Sequence, residues 1–313
     1  MIRNVKYILA FGFVLGLIAC ETKLEIEMPE PEPKLVMNSL FTPFVPPYPK
    51  SINVQLWGNA PILDTTVYDQ IKDAEILWFE NGIFIDTLKY EDKSKSYASP
   101  ILIFAEVGKE YSVVVSKEGY PPISAACIVP QKVNIDSLSI IALAGIDDEN
   151  SAYSSVTLIF HDPKNEENYY DIILSDPGKP YQLWTSEQII TQEAYYPSDL
   201  ALEQEKPKRL LFNDSTFDGE EKTIVFYYEP PQQEDYNVRW ISTHIVYIEL
   251  RSVTKDYYTY FTSVIQNQNS RKGDLFYGLG EPVNACTNVE NGYGIFSGYH
   301  VDGQSINIDS VIF

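Results

Sequence analysis

Residues Ala74 to Leu88 read "AEILWFENGIFIDTL". Ahead of the central Asn81-Gly82, residues Ala74, Ile76 and Trp78 fall on one face of an alternating run. Asparagine tolerates the left-handed backbone region and glycine adopts it freely, so this pair supplies the two positive φ values that a type I′ turn needs. The twist of that turn matches the twist of paired strands. The stretch is therefore predicted to be a β-hairpin.

The same period of two extends outward from the hairpin. "INVQLW" places Ile52, Val54 and Leu56 on one face, and "EYSVVVS" places Tyr111, Val113 and Val115 on one. "KEGYPP" turns the chain again at Gly119, and Pro130 closes the region. About six or seven short strands without an intervening helix predict an immunoglobulin- or transthyretin-like β-sandwich over residues 34–130, able to fold alone.

Residues 131–313 are expected to form a larger β-rich domain with one or two short helices, which makes the whole chain all-β. "SSVTLIF", "NYYDIIL", "KTIVFYY" and "THIVYIEL" read as strands. The Asp162-Pro163 and Asn165 to Asn168 stretch is expected to join the first two as a hairpin. Thr254 stands where it can cap "KDYYTYFTSVIQNQ", in which Tyr257, Phe261, Val264 and Gln268 recur at helical spacing. Between Asp176 and Lys208 the alternation disappears, and so long an excursion is unusual in a compact domain. It carries Tyr181, Trp184, Tyr195 and Tyr196. Either these four rings anchor a partner or ligand, or the loop folds back and packs them on its own sheet.

The N-terminus reads as an export signal over residues 1–19. Arg3 and Lys6 give a positive start, and Tyr7 to Leu17 is apolar but too short to span a bilayer comfortably. Leu17-Ile18-Ala19-Cys20 resembles the lipobox of bacterial lipoproteins, which makes Cys20 the expected site of lipid attachment. Several acyl chains there would hold where one binds marginally. Residues 20–33 alternate glutamates with Pro29, Pro31 and Pro33, a composition that stays extended as a tether. Glu21 stands where an inner-membrane retention cue would place aspartate, and acidic residues soon after the cysteine resemble the cue that sends Bacteroidota lipoproteins to the outer face. An outer-membrane, outward-facing location is the expectation.

The chain carries 44 acidic against 23 basic residues, a net charge of −21. That balance argues against nucleic acid, which is bound through basic patches that displace counterions, and against lying flat on anionic lipid. Beyond Cys20 only Cys127 and Cys286 remain. They could pair across the two halves, although "SAACIVP" reads as a strand interior in which a lone cysteine packs as a small hydrophobe.

Catalytic signatures are missing. The three histidines, His161, His244 and His300, form no H-E-x-x-H or other close pair, and neither a G-x-S-x-G elbow nor a P-loop occurs. A Cys127–His300 nucleophile pair has no local support. "FNDSTFDGEE" and "GIDDEN" offer carboxylates but lack the ligand spacing of an EF-hand, so they read first as turns. No metal, no cofactor and no enzyme activity are expected. Five Asp-Ser/Thr-apolar triplets, such as Asp136-Ser137-Leu138, match an O-glycosylation sequon but equally open strands after turns.

"EPEPKLVMNSLFTP", "IKDAEILWFENG", "VGKEYSVVVSKEGYPPISAACIVP", "DPKNEENYYDI" and "EPVNACTNVENGYGIFSGYH" resemble, over essentially the whole chain, the Bacteroidota lipoproteins grouped as domain-of-unknown-function family 4249. The most specific piece is Asn284 to Gly298, with the shape N-x-x-x-N-x-x-N-G-x-G-I-F, which physically reads as a tight turn into a buried strand. The family has no established activity. The resemblance implies a non-catalytic binding or accessory subunit of a TonB-dependent transporter, held to outer-membrane lipid by its anchor. A surface hydrolase using acidic residues and a structural scaffold of the cell surface are the alternatives.

Overall fold

The computed structural model describes residues 32–43, 52–59, 70–99, 104–148, 150–177, 179–187, 208–236, 238–271 and 284–313. The signal, Cys20 and nearly all of the tether lie outside them. Pro33 to Phe313 form one compact unit, nearly all of it β. Among the described residues no helix is long and apolar enough to cross a membrane.

Seven strands come from the first 128 residues: β1 (Leu35–Phe41), β2 (Asn53–Gly58), β3 (Glu75–Glu80), β4 (Ile83–Glu91), β5 (Ser96–Ala98), β6 (Glu110–Ser116) and β7 (Ile123–Ile128). β3 and β4 form the predicted hairpin, with Asn81 at φ 49° and Gly82 at φ 74°, and a register shift beside Trp78. The faces read from the alternation are the buried ones. Ile52, Val54, Leu56, Ile76, Trp78, Tyr111, Val113 and Val115 share one core.

That core is not built from residues 34–130 alone, since Val289 and Phe296 also belong to it. A long strand near the other end of the chain, numbered β18 in chain order (Tyr293–Ile308), runs parallel to β1, pairing Val36 with Tyr293 through Phe41 with Gly298. On the far side β7 meets the same segment. Ser124 bridges Glu290, and the Gly298 N–H donates to Cys127 Sγ at 3.2 Å. Phe296 enters the core, its ring centroid 5.2 Å from Phe41 and 5.6 Å from Trp78. The Asn284–Phe296 motif makes this insertion fit. Asn288 accepts from the Phe296 N–H (3.0 Å) and donates to its carbonyl (2.7 Å), standing in for a neighbouring strand. Gly294 sits at φ +104°, where a Cβ would collide with the Met37 carbonyl.

The other strands are β8 (Ile135–Ile146), β9 (Ala152–His161), β10 (Tyr169–Asp176), β11 (Lys179–Pro180), β12 (Leu183–Trp184), β13 (Leu210–Asn213), β14 (Glu221–Tyr228), β15 (Gln232–Asp235), β16 (Val238–Ile241), β17 (His244–Val253) and β19 (Val311–Ile312). β17 pairs along the distal half of β18, β10 pairs with β17, and both β11 and β13 pair with β10. A second sheet, ordered β12-β14-β9-β8, packs against these strands, and Val156, Leu158, Phe160, Ile224 and Phe226 meet Tyr170, Ile172, Val246, Ile248 and Leu250 in a second core. β15, β16 and β19 form a small third sheet.

β9 and β10 therefore lie in different sheets. The connection expected to be a hairpin is an arch from one layer to the other. Its acids and asparagines suit either shape locally, and the arch is set by bonds to a distant segment, as described below.

The helix, α1 (Lys255–Arg271), starts where the cap predicted it. The Thr254 hydroxyl accepts from the Tyr257 N–H at 3.1 Å, satisfying one of the orphan donors of the first turn. Tyr257 and Ile265 pack with Leu211, Val253 and Tyr299 in a small third core. Both Cys127, buried, and Cys286, exposed, are free thiols, so the strand-interior reading of Cys127 describes it and a bridge does not.

Candidate ligand-binding face

The excursion after β10 begins with strands that the sequence did not reveal. β11 is antiparallel to the end of β10, and β12 adds to β14, pairing Trp184 with Tyr227. Residues facing opposite sides of a strand alternate, so Leu183 beside Tyr228 points into the second core while Trp184 beside Tyr227 points out. β9 obeys the same rule. Val156, Leu158 and Phe160 face in, and Tyr153, Ser155, Thr157 and Ile159 face out.

The outward residues gather three half-buried rings at one end of this sheet. Trp184 stacks on Tyr227 with centroids 5.9 Å apart and planes 28° apart. Tyr153 meets Tyr227 edge-on at 5.7 Å and Trp184 edge-on at 5.9 Å. The Tyr153 ring lies over Gly145 of β8, in space that any Cβ there would occupy. Beyond the rings the outward face continues uncharged through Ser155, Thr157 and Val225. It ends in a charged group, where His161 Nδ1 lies 2.7 Å from Asp136 Oδ2 and Nε2 lies 3.9 Å from Glu221. The hydrogen bond to Asp136 raises the imidazole pKa above its ordinary value.

Of the four aromatic residues singled out in the sequence, Trp184 belongs to this cluster. Tyr181 does not: its ring packs on Tyr228 at 4.9 Å at the margin of the second core, and burial pushes its phenol well up. For Tyr181 the fold-back alternative describes the loop. Tyr195 and Tyr196 lie outside the described residues, as does the proposed lipid site Cys20. Tyr153 and Tyr227 were missed. A signal for Tyr227 existed, since adjacent Tyr227 and Tyr228 in one strand must point to opposite faces.

The arch between β9 and β10 collects three carboxylates. Oxygens of Asp162, Asp214 and Asp218 lie within 4.8 Å of one another, an arrangement that could hold a cation. The protein's own donors already engage them. Tyr170 donates to Asp162 at 2.5 Å and the Gly219 N–H at 2.9 Å; the Asn168 N–H reaches Asp214 at 2.8 Å and the Asn165 N–H reaches Asp218 at 2.8 Å. These bonds tie the arch to the β13–β14 connection, as the turn reading of "FNDSTFDGEE" requires. Desolvation raises the Asp162 pKa.

A cleft of about 440 Å³ opens between the end of β7, the arch and the start of α1, lined by Cys127, Ile128, Tyr169, Ser252 and Asp256 among others. Burial at this cleft disfavours the thiolate form of Cys127. Desolvation pushes its thiol up to about 12, and its bond is to the Gly298 N–H, with none to His300.

No curated protein matches the sequence. Among solved structures, a protein from Corynebacterium diphtheriae described as membrane anchored is 14% identical, with a TM-score of 0.20; the match covers 70% of this chain and 54% of that one. This chain thus spans about half of that protein's length. The model of a family described as a domain of unknown function, DUF4249, matches residues 21–305.

Proposed function

The chain belongs to the DUF4249 family, and on that premise we propose that it is a non-catalytic binding or accessory subunit of a TonB-dependent transporter, anchored by lipid on Cys20 to the outer membrane and facing the cell exterior. The anchor is supported by the Leu17-Ile18-Ala19-Cys20 motif, by the acidic, proline-rich tether that follows it, and by a family match that starts at residue 21.

The observation that carries the binding role is the ring cluster Tyr153–Trp184–Tyr227. Tyr228 and Phe226, on the same strand as Tyr227, send their rings into the second core. Here three are collected on the opposite face, in mutual contact, on a stretch without charge in a chain of net charge −21. Large rings with part of their surface still in water gain most from a partner that removes it, and such residues dominate binding interfaces. The test is co-purification of a transporter with the lipidated chain from solubilised outer membranes, and its loss when the three rings become alanine.

A further inference from the structure

Sheets end in strands with one row of unpaired N–H and C=O groups, and proteins ordinarily shorten, charge, bend or cover such edges. This fold blunts most of its edges. β11 and β12 are two residues long, β11 ends in Pro180, and β7 is covered by the segment around Glu290 and Gly298. β8 is the exception. It has twelve residues, and among the described residues it pairs only with β9. From Ser137 to Ile146 it has neither a charge nor a proline. Ile141 is 60% exposed and Ile146 48%. A register shift after Ile141 interrupts the ladder, leaving Ser137–Ile141 as a regular edge about 17 Å long. On its inner face Leu138 and Ile140 are only half-buried at the margin of the second core, so among the described residues that core is incompletely covered on this side.

We propose that Ser137–Ile141 is a docking edge that takes an extended segment of another polypeptide as an added strand. The segment alternates apolar residues, which cover Leu138 and Ile140, with polar ones beside Ser137 and Ser139, and it is basic at the end that lies beside Asp136. The charge follows from the one flank that adjoins the edge, where Asp136 and Glu221 set two carboxylates against the single imidazole of His161, and from the −21 of the chain as a whole. A second copy of this chain fits poorly. It brings the same acids and the same net charge, and a five-residue ladder buries far less than the roughly 1,600 Å² of a stable interface between folded subunits. A single extended segment needs no more than this footprint, since main-chain hydrogen bonds supply affinity and alternate side chains supply selectivity. This docking edge is independent of capture by the three rings.

The probe is a blocked eight-residue peptide of alternating valine and threonine with lysine at both ends, compared with the same peptide ending in glutamate. Hydrogen exchange is followed by mass spectrometry on the full chain in detergent. The lysine-ended peptide is expected to slow exchange across Ser137–Ile141 by about tenfold or more, and the glutamate-ended peptide to leave it unchanged at the same concentration. Ile141→Lys, which alters an exposed side chain, should leave the melting temperature alone and abolish the protection. Four outcomes overturn the proposal: no protection by either peptide, equal protection by both, protection that survives Ile141→Lys, or an edge already protected in a chain that sediments as a dimer.

Discussion

Phe296 lies more than 160 residues from the nearest segment of the first core other than its own, yet its side chain is fully buried between Phe41 and Trp78. Phe296→Ala removes a whole ring from a site whose neighbours, themselves large rings on paired strands, cannot collapse far. Substitutions of this kind cost about 3–5 kcal/mol, from lost transfer energy plus the cavity left behind. With a urea slope of about 3 kcal/mol/M, the upper end for ordinary proteins, the midpoint should fall by roughly 1–1.7 M. Trp78→Ala should cost a similar amount. Because the two rings touch, the double variant should depart from additivity by about 0.5 kcal/mol or more. Urea unfolding of the full chain followed by tryptophan fluorescence and circular dichroism measures all three. A loss below about 1 kcal/mol for Phe296→Ala, or strict additivity with Trp78→Ala, would refute the placement of β18 inside the first core.

Three further outcomes are expected. A fragment of residues 34–130 lacks Val289 and Phe296 from its core and β18 beside β1; it should give no cooperative unfolding transition by circular dichroism, and a sharp transition would contradict the interlocked architecture. His161 should titrate above its ordinary value of about 6.5 by proton NMR and return toward it in Asp136→Asn. A raised folded pKa means that this contact's contribution to stability is fully present below the unfolded pKa and disappears as pH rises through the folded one, so Asp136→Asn should flatten that dependence near neutrality. A palmitate analogue fed to cells should label the wild-type chain and spare Cys20→Ser; labelling of the serine variant would rule out Cys20 as the lipid site.

The hairpin at Asn81-Gly82 and the inward faces of β2, β3 and β6 were legible because both signals are local: a turn that only certain residues can make, and a period fixed by strand geometry. β18 was not legible in the same way. Gly294 to Tyr299 are all buried, so the alternation that marks a half-exposed strand is absent, and parallel pairing with β1 leaves no turn between them to read. The arch failed for a related reason. Asp162, Pro163 and Asn165 favour a change of direction, but whether β10 pairs with β9 or crosses to the facing layer depends on Asp214, about 50 residues further on. Within the candidate site Trp184 stood out because its surroundings lacked strand alternation. Tyr153 and Tyr227 were hidden among apparent core residues, because the order β12-β14-β9-β8 that brings them beside Trp184 is a property of the sheet and not of any one segment. The small size of Gly145 has meaning only once Tyr153 is known to lie over it.

Engagement of a transporter by the ring-bearing face is tested most directly by co-purification. The chain, tagged at its C-terminus, is purified from outer membranes in mild detergent alongside a variant carrying Tyr153→Ala, Trp184→Ala and Tyr227→Ala. The prediction is a TonB-dependent transporter recovered in fixed proportion with the wild type and absent with the variant, while the variant keeps its lipid label and a circular dichroism spectrum like that of the wild type. A wild-type chain recovered without a transporter, or a transporter retained equally by the variant, would contradict it.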